Sequence, residues 1–135
     1  ILMIEVPDPG SWARRVLGPL WMPWFQPQHL HLVSVENLQR LLEERGLEPL
    51  DWERQKAHVA SDMVFATWSL LRRIAPVPGL PWRPRPSLLA RGWHALVWTL
   101  GVVLLVAAVF GDKATAGLVA RSGGANAYRV TARKR

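Results

Sequence analysis

The chain opens on an apolar run, Ile1-Leu2-Met3-Ile4-Glu5-Val6, closed by Pro7-Asp8-Pro9-Gly10. A short, near-continuous apolar run with β-branched residues and a Pro/Gly stop predicts a strand buried on both faces, as in a parallel sheet covered by helices. Between Ser11 and Gly18, the residues Trp12, Val16 and Leu17 share a side, and a short helix is expected. Pro19, Pro23 and Pro27 argue against regular structure beyond it, so Trp21, Trp24 and Phe25 fall in an irregular loop. Large rings in such a loop either cover its own core or form the wall of a substrate pocket.

Ser34 is an N-cap for the next helix, and Glu36 suits its first turn. Val35, Leu38, Leu41 and Leu42 make one stripe, Glu36 and Arg40 are spaced to pair, and Gly46 takes the position just past the end. Leu47, Leu50 and Trp52 predict a short strand weakened by Pro49.

From Lys56 the pattern changes. Val59, Met63, Ala66, Leu70, Leu71 and Ile74 follow helical spacing, Asp62 interrupts the face, and Arg72-Arg73 closes it. This is the pattern of an amphipathic helix, not of a spanning one. A proline-rich connector from Ala75 to Pro86 carries Trp82, a residue suited to a membrane interface. Ser87 then caps a helix whose stretch Trp93–Gly111 has His94 as its one ionisable group. Ala95 to Gly111 spans about 25 Å, short of the ~30 Å hydrocarbon core. After the turn Ser122-Gly123-Gly124, the residues Tyr128, Val130 and Ala132 alternate with Arg129, Thr131 and Arg133, which predicts a strand that returns to the first sheet.

A length of 135 residues allows one modest domain. The first residue is not Met and already lies in a core-like strand, so an N-terminally truncated fragment is expected. The absence of Cys excludes disulfides and thiolate metal sites and fits a reducing compartment. The net charge of +7 is unevenly spread: Ile1–Gln55 is nearly balanced, whereas Arg72, Arg73, Arg83, Arg85 and Arg91 precede the apolar helix and Arg121, Arg129, Arg133, Lys134 and Arg135 follow it. Basic flanks on an apolar helix fit an anionic membrane surface. They do not favour nucleic acid, because the Trp residues sit beside Pro and Leu and not in an aromatic-and-basic strand.

His29 and His31 alternate, so an extended segment points both the same way. A metal needs more ligands, and His58 and His94 have no carboxylate at helical spacing, so no metal site is expected. A hydrogen-bonded structural His, a general base or a substrate contact are the remaining roles.

Several of these stretches together resemble one family. Ile1–Pro9, Ser11-Trp12-Ala13-Arg14, Gly18-Pro19-Leu20-Trp21, Pro27-Gln28-His29-Leu30 and Asn37–Leu42 up to Gly46-Leu47 look like the C-terminal half of a class I S-adenosylmethionine-dependent methyltransferase of the broad subgroup that includes ubiquinone-biosynthesis-type enzymes. Asn126–Lys134 is similar to the family's closing antiparallel strand. Gln28 stands where the family usually has Arg. The resemblance implies an α/β fold: the C-terminal part of a Rossmann-like methyltransferase sheet with a hydrophobic helical insertion. Residues 1–55 would supply a strand, a substrate loop, a helix and a strand; residues 56–121 the insertion; residues 122–135 the closing strand. It implies S-adenosylmethionine as cofactor, bound by a missing N-terminal half, since no Gly-x-Gly turn follows a strand here. Trp21, Trp24, Gln28, His29 and His31 would line the acceptor side of the crevice, with His29 or His31 as the candidate base. The acceptor would be a small molecule or a lipid, reached at the cytoplasmic face of a membrane that residues 87–111 contact. The competing expectation is a membrane-anchored binding or structural module without chemistry.

Overall fold

A computed structural model describes residues 1–24, 31–54, 61–77 and 84–135. Along it run β1 (Leu2–Pro7), α1 (Trp12–Leu17), two 3-10 turns (Gly18–Leu20 and Met22–Trp24), α2 (Val35–Glu44), β2 (Leu47–Glu53), α3 (Asp62–Ile74), α4 (Leu88–Arg121) and β3 (Ala127–Lys134). The expectations for Val59 and Trp82 fall outside the described residues, as do Phe25, Pro27, Gln28 and His29.

The alternation in β3 sets the core. Tyr128, Val130 and Ala132 are fully buried on one face, where Leu38 and Leu42 of α2 cover them, with Ile4, Val6 and Trp52 packed around. The sheet order is β1-β3-β2, and β3 is antiparallel to both neighbours. Val6 lies opposite Tyr128 and Ile4 opposite Val130, so β1 offers its own alternate residues to the same core.

The second face of the sheet is ionic. Arg129 binds Glu5 at 2.7 Å and lies 3.6 Å from Glu53, and Arg133 binds Glu48 at 2.9 Å. These are cross-strand partners in the ladder. Two of the basic residues expected to serve a membrane are therefore occupied within the sheet. The fold is mixed α/β with a small antiparallel sheet. The expectation that the first strand is buried on both faces does not hold among the described residues. β1 pairs with β3 alone, and Ile1 and Met3 are 91% and 62% exposed. β2 occupies the other edge, with a register irregularity between Pro49 and Asp51, where a residue lacking an N–H is tolerated.

Local signals at helix ends are realised. Ser34 Oγ accepts from Asn37 N, Ser87 Oγ from Ala90 N and Ser11 Oγ from Arg14 N. Gly46 has φ +70° directly after α2, the left-handed conformation that a C′ residue needs. Arg40 donates to Asn37 instead of pairing with Glu36. In α1 the expected apolar side faces out, with Trp12 and Val16 exposed and Ala13 buried, because a six-residue helix takes its orientation from the anchored turn before it. The prolines do not abolish structure in the following loop. Pro19 sits in the first turn of a 3-10 helix, where its fixed φ is compatible.

α3 and α4 form an antiparallel hairpin held at both ends. The Asp112 carboxylate of α4 accepts from Met63 N and Val64 N at 3.0 and 3.1 Å, which caps the N-terminus of α3. Trp93 Nε1 donates to Ile74 O and Trp98 Nε1 to Ala75 O, satisfying carbonyls at the other end. Between them, Gly101 lets the helices approach: a Cβ there would meet Leu71 Cδ1 at 2.6 Å. Asp62, read as interrupting an apolar face, begins α3 and accepts from Asn126 Nδ2 at 3.3 Å. α4 also runs past Gly111 to Arg121, 34 residues in all. Asp112 does not end it because that carboxylate is turned onto α3, and alanine-rich sequence carries the helix on. By length and composition α4 is able to cross a membrane, and only 11% of its most apolar window is buried.

Candidate functional site

The site is built at the end of β1. Asp8 is 2% exposed. Its carboxylate accepts from Gly10 N at 2.7 Å and binds Arg54 Nε at 3.0 Å, while its own N–H donates to Asn126 O. One residue thus ties the turn after β1 to the ends of β2 and β3. Ser11 N–H donates to Asp8 O, so α1 leaves from a fixed point. Sequence reasoning missed this anchor. The motif Pro7-Asp8-Pro9-Gly10 carried the signal for a turn, but the partner Arg54 is distant in sequence.

The two tryptophans of the loop part company. Trp21 is 1% exposed and meets Trp24 edge to face, with ring centroids 6.0 Å apart. Trp24 is half-exposed, with the Arg14 guanidinium 5.5 Å from its ring centre. His31 is exposed and shares with Trp24, Pro9 and Arg14 an open depression of about 750 Å³ against α2. The structure therefore brings Trp24 and His31 to one concavity. Trp21 does not line it; with Trp24 it lines a smaller crevice of about 270 Å³, whose other wall is α3. Gln28 and His29 lie outside the described residues. His94 is structural: its Nδ1 is 3.1 Å from Ala75 O and its ring lies against Trp98.

Tyr128 is the most perturbed titratable group among the described residues. Burial, and then the negative charge of Asp8, push its hydroxyl up to about 12, partly offset by Arg54. The hydroxyl donates to Val33 O at 2.7 Å, so its role is to tie the segment before α2 to the sheet.

The described residues do not fit a glycine-rich nucleoside turn. The described glycines with positive φ are Gly18, Gly46 and Gly123, and each closes a helix instead of leaving a strand. Among the described residues no group of His, Asp or Glu could hold a metal ion. No family model, curated protein or solved structure matches the chain.

Proposed function

We propose that this chain forms the acceptor side of an S-adenosylmethionine-dependent methyltransferase held at the cytoplasmic face of a membrane. The observation that carries the reading is β3, a strand antiparallel to both neighbours that closes the sheet between β1 and β2. The resemblance expects this of its final segment. The open edge of β1 adds support. An exposed apolar edge is suited to receive a further strand, the direction in which a donor-binding half would extend the sheet. Donor binding is assigned to residues outside this chain.

Within this reading, the loop after β1 faces the acceptor, as loops at the carboxyl ends of strands do in open sheets. Trp24 and His31 share its depression, and His31 is the candidate base among the described residues. The membrane part rests on α4, whose apolar surface is largely uncovered. The bilayer is the occupant that matches this face, because Arg72, Arg73, Arg85 and Arg91 gather towards one end of the hairpin, suited to anionic headgroups.

Membranes holding the intact enzyme should transfer radiolabelled methyl groups from S-adenosylmethionine into an extractable acceptor. Trp24→Ala and His31→Ala should lower the rate. Wild-type rates in both would remove the assigned roles. Membrane attachment without any methyl transfer would favour the second reading, an anchor or binding module without chemistry, which α4 alone would satisfy.

A further inference from the structure

The crevice behind Trp21 has features that the depression at Trp24 and His31 lacks. It lies between the 3-10 turns and α3, and its walls include Trp21, Trp24 and Trp68. Two guanidinium groups, Arg72 and Arg73, line it with no carboxylate. Both are held in place. Arg72 stacks 4.6 Å from the Trp68 ring centre, and Arg73 Nη2 donates to Pro19 O at 3.0 Å. Among the described residues neither is paired with an acid. Each guanidinium has five N–H donors, so most remain for a ligand. The Trp21 indole N–H adds a buried donor without a partner among the described residues.

Apolar rings beside fixed, uncompensated cations make a site for a molecule with the opposite layout: an apolar body and an anionic head. Its location says where such a molecule comes from. α3 forms one wall of the crevice, and α4, with its uncovered apolar face, packs along α3. We propose that this crevice binds the phosphate-bearing head of an anionic membrane lipid, with Arg72 and Arg73 on the phosphate and the indoles against the adjoining apolar portion. The inference deepens the methyltransferase reading by naming an acceptor class. It rests on that reading only for the lipid's role as acceptor, since lipid binding is measured without methyl transfer.

The test uses the full chain in phosphatidylcholine vesicles doped with a photoreactive phosphatidic acid. After illumination, label should map to residues 18–24 and 68–73. Arg72→Gln combined with Arg73→Gln should lower that label about tenfold or more, since charge-assisted hydrogen bonds are lost. Ser69→Trp, which fills the crevice while keeping both arginines, should lower it as well. Photoreactive phosphatidylcholine should leave these peptides unlabelled, and millimolar inorganic phosphate should not displace the acidic lipid. Label confined to α4, equal label from the two lipids, full displacement by phosphate, or unchanged label in both variants would each overturn the proposal. Loss of methyl transfer with lipid labelling intact would count against the enzyme reading alone.

Discussion

Trp21 and Trp24 carry similar sequence signals, rings among prolines, and the structure gives them opposite roles. Trp21→Ala should cost about 3–5 kcal/mol in a denaturant titration, because it empties a buried site. Trp24→Ala should cost about 1 kcal/mol or less, the worth of one edge-to-face contact. Equal losses would mean that both rings serve packing. Tyr128 gives a pH signature. Its folded-state value is raised to about 12, against about 10 in an unfolded chain. The folded state therefore holds its proton where the unfolded state has lost it, and stability should be complete below pH ~10 and fall as pH rises towards ~12. Tyr128→Phe should remove that dependence and cost about 1–2 kcal/mol, since Val33 O loses its donor. The burial of Tyr128 was legible from the alternation of its strand. Its bond to Val33 was not, nor was the pairing of Asp8 with Arg54, because neither partner is local.

Among the elements, helix starts were the most legible feature. Ser34 and Ser87 cap where expected, and Ser11 does the same for α1, since the interaction is complete within four residues. α3 shows why that logic stops. Ser61 makes no side-chain cap, and both ends of α3 are satisfied from α4 instead. The distance from Trp98 to Asp112 along α4, about 21 Å, matches the length of α3, about 20 Å. No local pattern reports such a match. Asp112→Ala should lower stability by about 1–2 kcal/mol, the usual loss for a cap, and should expose the amides of Met63 and Val64 to fast hydrogen exchange. Gly101→Val should cost about 1–3 kcal/mol by forcing Leu71 away. If Gly101→Val leaves exchange in α3 unchanged, the close approach of the two helices is not what holds α3.

At the scale of the whole molecule, the sheet constrains how α4 meets a bilayer. β3 follows α4 after a short turn and pairs with both β1 and β2, so the two flanks of the hairpin share a side. α3, at about 20 Å, is too short to bring the chain back across a core of about 30 Å, and α3 is tied to Pro19 by Arg73. Single cysteines replacing Ser87 and Ser122 should both resist an impermeant reagent in intact cells and label once the cells are opened. Outside labelling at one of them alone would mean a true span. The order of elements has a further consequence, in time instead of space. β1 and β2 touch the sheet only through β3, and β3 is made after α4. A growing chain therefore presents its most apolar helix before β1 and β2 have met β3, the strand that joins them. Lipid capture of α4 during synthesis should precede closure of the sheet, and released chains truncated after Ser122 should already bind membranes while β1 and β2 remain open to protease.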